Sequence, residues 1–363
     1  MTGLIGGDRA GLICDGKDDT SLYNTPVMKK FAGIMLPVIL ILIIDVLPPF
    51  QTVTHEDGTG SVAMLARQLS YSDHNPNTLA GSDYGRQWAV SAIMATLAWQ
   101  KTSGIPDVYI AVLDTGIDEM HEDVAGQVID RANFTDSSTT ADIYGHGTHV
   151  AGIIAAAHNN LGIDGMASGC RLLNVKVADD GGWCDSASIA KGIRWAVDRG
   201  AKVINISLYT LKPSQELEES VNYAWSKGAV VVAPSGNGIG SEIVYPAYYV
   251  NCIAVAATNV NDMVTSWSGD EEWVDIAAPG KDIFSTIPHN TYQYKSGTSM
   301  ASAYVSGLAG LLFSMSSTPD YSNLSNDRVR SAIETSCDAT NVSTTGRINA
   351  EKAIDALSAS LEW

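Results

Sequence analysis

Ser299 stands in Ser296-Gly297-Thr298-Ser299-Met300-Ala301-Ser302, a glycine-led run of small residues that continues into the uncharged stretch Met300 to Phe313 (MASAYVSGLAGLLF). The pattern predicts a turn entering a buried helix. Free N–H groups and the helix dipole at such an N-terminus favour developing negative charge, which suits a nucleophilic hydroxyl. Gly-Thr-Ser also occurs in plain helix caps. His146 lies between two glycines in Tyr144-Gly145-His146-Gly147-Thr148-His149-Val150-Ala151-Gly152, at the start of the apolar run Val150 to Ala157. It is placed to relay a proton. The alternatives are a core histidine or a metal pair with His149, but zinc would want a third ligand and usually HExxH spacing, and the sequence has neither. Asp114 closes the apolar run Ala111-Val112-Leu113 just before Thr115-Gly116. Strand carboxyl ends are where open α/β sheets build their sites, although a lone Asp there reads equally as a turn cap. Taken together, the three supply a base-activated hydroxyl and a group that orients the base, in the order Asp, His, Ser. Asn237, in Pro234-Ser235-Gly236-Asn237-Gly238, adds an amide that could donate to a tetrahedral oxyanion beside the Ser299 backbone N–H.

Positioning these groups is the work of short apolar, β-branched runs: Val108 to Leu113, Leu172 to Val177, Val203 to Leu208, Val230 to Ala233 and Ile253 to Ala257. They alternate with longer amphipathic stretches such as Ser186 to Arg199 and Ser214 to Lys227. Continuous apolar strands separated by helices predict an α/β fold, doubly wound, with a mostly parallel central sheet and helices on both faces.

The chain has 363 residues, with 40 Asp+Glu against 22 Lys+Arg and a formal net charge of −18. That balance argues against a phosphate-backbone binder, so no nucleic-acid partner is expected. Carboxylates also build calcium sites, but acidity is more often plain solvation. The five cysteines form no CxxC pair, and neither a zinc nor a redox framework is expected. Met28-Lys29-Lys30 precedes the apolar run 31–44 (FAGIMLPVILILII), as in a secretory signal. The run is shorter than the ~20 residues of a membrane span. No clean small-x-small cleavage site follows it, so anchoring through 31–47 stays open beside cleavage. The expected organisation is a polar tail or mis-assigned start over 1–27, a signal peptide or anchor over 28–47, a Pro- and Gly-marked linker over 48–70, and a globular domain over 71–363. A secreted or extracytoplasmic location follows.

At Asp114-Thr115-Gly116, His146-Gly147-Thr148-His149-Val150-Ala151-Gly152, Ser235-Gly236-Asn237 and Gly297-Thr298-Ser299-Met300-Ala301, the chain resembles the subtilisin-like serine proteases. The motifs stand in that family's order, with family-like separations. The resemblance extends from about Arg86-Gln87-Trp88 to Arg347-Ile348-Asn349-Ala350. Val221-Asn222-Tyr223-Ala224-Trp225 and Trp273-Val274-Asp275-Ile276-Ala277-Ala278-Pro279-Gly280 are similar to the thermitase-like group. The resemblance implies the subtilase fold and endopeptidase activity, with Asp114, His146 and Ser299 as triad and Asn237 as oxyanion donor. It implies a monomer without organic cofactor, acting on extended peptide or unfolded protein substrates. Such substrates add as a strand between edges at Gly181-Gly182-Trp183 and Ser207-Leu208-Tyr209, where backbone pairing tolerates sequence. It also matches Asp123 and Asn160 to a structural calcium site, although the loop from His158 to Gly165 is one residue short.

Several departures bear on function. Tyr209 stands where the family has Gly, and Pro234 where it has Ala; both border the pocket for the residue before the scissile bond. Ala303-Tyr304 replaces the usual Pro-His, with little catalytic effect expected. Residues 48–70 are too few for an independently folding inhibitory domain of the family's kind. These changes give weight to an alternative, a catalytically weak pseudoprotease acting as a peptide-binding scaffold. Asp-Thr-Gly is also the signature of aspartic proteases. Those need two carboxylates sharing a proton, so with one motif this rival requires a homodimer.

Overall fold

The structure, a computed structural model, describes residues 12–13, 84–238, 242–317, 324–340 and 346–360. The chain separates into two units, Met1–Asp15 with Asn77–Trp363, and Gly16–Pro76. The second unit lies outside the described residues, as do the signal segment 28–47 and the linker 48–70. No described helix is long and apolar enough to cross a membrane.

A two-residue strand, β1 (Leu12–Ile13), precedes ten more: β2 (Tyr109–Asp114), β3 (Val128–Asn133), β4 (Arg171–Lys176), β5 (Val203–Ile206), β6 (Leu208–Tyr209), β7 (Val230–Pro234), β8 (Cys252–Thr258), β9 (Ile276–Pro279), β10 (Ile283–Ile287) and β11 (Thr291–Lys295). Seven of them form one all-parallel sheet in the order β3-β4-β2-β5-β7-β8-β9. Each predicted strand run supplies one of its strands. Alternate residues feed opposite faces, as a strand's two-residue period requires. Ile110 and Val112 join one core cluster while Ala111 and Leu113 join the other. Both faces are therefore apolar and covered.

Helices α1 (Trp88–Ala92), α2 (Ala95–Trp99), α3 (Gly147–Ala155), α4 (Ser186–Asp198), α5 (Gln215–Ser226), α6 (Thr298–Ser314), α7 (Asn326–Thr335) and α8 (Ala350–Ala359) supply that cover. Residues of α4 and α5 line one face, and those of α3, α6, α7 and α8 line the other. Caps set the helix starts: the Asp185 carboxylate accepts from Ser188 N–H at 2.7 Å, and Ser214 Oγ from Leu217 N–H.

After β2 the chain runs to one side of the sheet (β3, β4), and after β4 it runs to the other (β5 onward). The order thus reverses at the carboxyl end of β2, the kind of crevice where open α/β sheets bind ligands. Asp114 is the last residue of β2. One predicted strand is shorter than expected. The run from Val203 stops at Ile206, and Leu208–Tyr209 forms the separate edge β6, which pairs in parallel with β1. Ser207 leaves the sheet because both its hydroxyl and its carbonyl bond Ser299.

Candidate active site

Asp114 and His146 meet in the interior, both buried. His146 Nδ1 lies 2.7 Å from Asp114 Oδ1, which also accepts from the Thr115 N–H at 2.8 Å. His146 precedes α3 directly, and Gly147, the first residue of α3, permits the approach. A Cβ at Gly147 would collide with the Gly116 carbonyl and press on Asp114. No protein group among the described residues bonds His146 Nε2, the nitrogen left to take a proton.

A second carboxylate holds this pair in register. Asp142 Oδ1 accepts from the Thr115 hydroxyl (2.8 Å) and Gly145 N–H (2.7 Å), and its Oδ2 accepts from Thr148 N–H (2.8 Å) and the Thr148 hydroxyl (2.7 Å). Thr115 Oγ1 in turn accepts from Gly147 N–H at 2.9 Å. Asp142 thus ties the turn after Asp114 to the first turn of the histidine's helix, at the end where the dipole favours an anion. Sequence reasoning passed over it. An acidic residue just ahead of a glycine-flanked helix start was the available signal.

Among the described residues His149 belongs to no group of three metal-ligating side chains. Burial pushes its pKa down to about 3, so the ring is neutral. Its Nε2–H is shared between the Ile283 and Gln293 carbonyls, each at 3.1 Å. Asp114 is paired with a histidine in the interior.

Ser299 is the second residue of α6, and every residue of that helix is buried. Its hydroxyl donates to the Ser207 carbonyl at 3.0 Å. Ser207 Oγ and Ser302 Oγ both donate to the Ser299 carbonyl, at 3.1 and 2.9 Å. Asn237 caps the same helix from outside: its Oδ1 accepts from Thr298 N–H and from the Thr298 hydroxyl, each at 2.9 Å. An N–H can only donate, so the oxygen end of the amide faces Thr298 and the NH2 end faces away. The helix start thus carries a hydroxyl and an oriented amide.

Of the residues expected at the substrate edges, Ser207 bonds Ser299 directly, and Leu208 and Tyr209 follow it along the chain as β6. Gly181 and Gly182 lie beyond β4, in a turn closed by Asp179, whose carboxylate accepts from Gly181 N–H and Trp183 N–H, both at 2.9 Å. Val177 and Ala178 N–H donate to the Asp114 carbonyl, which puts that turn a few residues past the site. Tyr209 is 5% exposed. Its Cζ lies 4.0 Å from where a Cβ on Gly236 would stand, and Val244 flanks the same spot. Burial pushes the phenol's pKa up.

The groups around Asp123 do not fit a cation. Asp123 is fully buried. Its Oδ1 accepts from Asn159 Nδ2 at 3.2 Å and its Oδ2 from Ile163 N–H at 2.8 Å, while the single hydrogen of the Tyr292 hydroxyl is shared between that Oδ2 (2.9 Å) and Glu122 Oε1 (2.8 Å). The Asn159 amide cannot flip, because its Oδ1 accepts from Leu161 N–H at 2.8 Å. Calcium requires about 6–8 oxygens at roughly 2.3–2.6 Å, whereas these partners turn hydrogens toward the carboxylate. Asn159, rather than Asn160, is the loop asparagine that reaches Asp123; Asn160 takes a left-handed backbone, φ 66°. Gly162 leaves room for the phenol, since a Cβ there would collide with the Tyr292 hydroxyl. Among the described residues no three His, Cys, Asp or Glu side chains cluster as a metal site.

A sequence profile of the subtilase family matches residues 106–353. The chain is 44% identical over 275 residues to thermitase of Thermoactinomyces vulgaris, covering 74% of this chain and 96% of that protein. It is 44% identical over 276 residues to a thermophilic serine proteinase of Bacillus sp. (strain AK1), covering 74% and 67%. With subtilisin BL of Lederbergia lenta the identity is 41% over 267 residues, covering 73% and 97%.

Proposed function

The chain belongs to the subtilase family and is a subtilisin-like serine endopeptidase, and from that premise we propose that Asp114, His146, Ser299 and Asn237 are its reacting groups. The observation that carries this is the buried 2.7 Å contact of Asp114 with His146 at the carboxyl end of β2. The Ser299 hydroxyl turns from the Ser207 carbonyl to His146 Nε2 and attacks the peptide carbonyl as that nitrogen takes its proton. Asp114 keeps the Nδ1–H tautomer and stabilises the imidazolium. The oxyanion is met by Asn237 Nδ2 and Ser299 N–H, donors fixed before the charge develops. His146 then returns the proton to the leaving amine, and water repeats the sequence on the acyl-enzyme. A fluorophosphonate tests the assignment by intact mass. One adduct is expected on the wild type and none on Ser299→Ala; an adduct surviving in the variant would sink it.

Substrates on this reading are extended peptide or unfolded protein segments laid along Ser207–Tyr209 and Gly181–Gly182. A monomer suffices, because every reacting group comes from one chain. An extracytoplasmic location is supported by Lys29-Lys30 before the apolar run 31–44. Tyr209 narrows the pocket for the residue before the scissile bond, beside Gly236 and Val244. Small or slender side chains are expected to dominate that position in a peptide-library profile. A preference for bulky aromatic residues there would overturn this.

The loop from His158 to Gly165 is held by Tyr292, Asn159 and Ile163 N–H rather than by calcium. A ligand that binds only the folded state raises its stability, and its removal lowers the melting temperature. The melting temperature of the purified protein is therefore expected to be the same in EDTA as in calcium. A fall of several degrees that added calcium restores would show the opposite.

A further inference from the structure

We propose that the chain's own N-terminal segment occupies its substrate edge, laid along it as β1 and fastened across to the facing edge by a disulfide between Cys14 and Cys184. The proposal rests on reading Ser207–Tyr209 and Gly181–Trp183 as the two edges between which substrate lies. Two independent observations meet there. The first is backbone pairing: β1 runs parallel to β6, with Leu12 opposite Leu208 and Ile13 opposite Tyr209. Among the described residues β6 pairs with no other strand. β1 therefore takes backbone groups that an extended peptide would need in order to add as a strand. The second observation is covalent. Cys184 is disulfide-bonded, while Cys170, Cys252 and Cys337 remain thiols. The chain has five cysteines, so the count leaves Cys14, the residue directly after β1. Cys184 follows Trp183 at the close of the facing edge, where its bridge to Ala178 completes the turn that the Asp179 carboxylate ties. A disulfide keeps its two Cα atoms within about 7 Å. One short segment is thus held by hydrogen bonds on one edge and by a covalent bond on the other.

The strap competes with substrate. A two-residue strand binds weakly by itself, but a short tether presents it at an effective concentration on the order of mM. Against an intrinsic Kd of about 0.1 mM, substrate affinity falls about tenfold. Without the disulfide the segment is joined only through the chain leading to α1, and effective concentration drops with the length of a linker. Opening the strap breaks the S–S bond. A dithiol supplies two electrons and two protons, leaves two cysteine thiols and closes to its own cyclic disulfide. The test uses the full chain as Ser299→Ala, which cuts neither itself nor the probe. Peptide mapping of the unreduced protein should return Cys14 and Cys184 as one linked pair. A fluorescent extended peptide, with alanine before its scissile bond, should bind about tenfold more tightly once dithiothreitol is added. Cys14→Ser on the same background should bind at the tighter level with or without reductant. Three results overturn the proposal: Cys184 mapped as a thiol or to another cysteine, equal affinity before and after reduction, or a gain on reduction that Cys14→Ser shows as well. Should reduction unfold the protein, the unreduced chain and Cys14→Ser give the comparison, and equal affinity of those two overturns it. If the peptide binds none of these forms, the reading of the two edges falls, and the proposal with it.

Discussion

Replacing Ser299 with alanine is expected to lower kcat by about 10⁶-fold, the scale measured when the nucleophile of a subtilisin is removed. The size follows from how the site is assembled. Nucleophile, base and orienter act in one step, so losing the hydroxyl idles the Asp114–His146 pair as well. His146→Ala should cost nearly as much as Ser299→Ala, and the double variant little more than either. The activity that survives should be that of the Asn237 amide, the Ser299 N–H and substrate binding. Steady-state rates on one peptide, normalised to folded protein, test this. Variants whose losses multiply would mean that the three groups do not act as a unit. The Ser299→Ala protein should stay folded, because its side-chain bond to the Ser207 carbonyl is one of four hydrogen bonds joining Ser299, Ser207 and Ser302.

Asp114→Asn is expected to cost about 10⁴-fold in kcat while leaving the melting temperature unchanged or higher. Oδ1 of Asp114 meets both His146 Nδ1 and Thr115 N–H, two groups that need an acceptor. An amide in this position can satisfy both with its oxygen, but it carries no charge to stabilise the imidazolium. If its NH2 end turns inward instead, Nδ1 must become the acceptor and the proton moves to Nε2, where a base is needed. Stability should not suffer in the same way. Asp114 Oδ2 is buried with no partner among the described residues, and a half-satisfied buried carboxylate is costly to fold around. Loss of activity without loss of stability is the signature of a group kept for chemistry. An Asn variant within tenfold of the wild-type rate would remove Asp114 from the mechanism.

The parallel sheet was legible in the sequence because strands buried on both faces read as unbroken apolar runs. The edge strand β3 was not, since Val128-Ile129-Asp130-Arg131-Ala132-Asn133 is half exposed and carries charge. The β10–β11 hairpin escaped for a related reason: β11 (Thr291-Tyr292-Gln293-Tyr294-Lys295) lies mostly at the surface and reads as polar. With it went Tyr292, whose role depends on a loop far away in sequence. The proposed reacting groups were visible as types in short motifs, because glycines must surround a histidine or serine that approaches other backbone closely. Their support was not visible. Asp142, Ser207 and Thr298 act through hydrogen bonds to residues distant along the chain or to backbone atoms, and neither leaves a periodic mark. Resemblance offered Asn160 at the calcium site, where geometry brings its neighbour Asn159 to Asp123. A loop one residue shorter shifts which side chain points inward.

The burial of α6 along its whole length has a consequence for how the protein fails. Its interior glycines sit against Met166 and Ile110, where a Cβ would meet side chains already in place. Such a helix cannot fray or slide by itself, and its amides open only when the sheet and the helices around it come apart. Ser299, near the start of that helix, is therefore expected to lose its setting only as the fold itself melts, so that inactivation and global unfolding coincide.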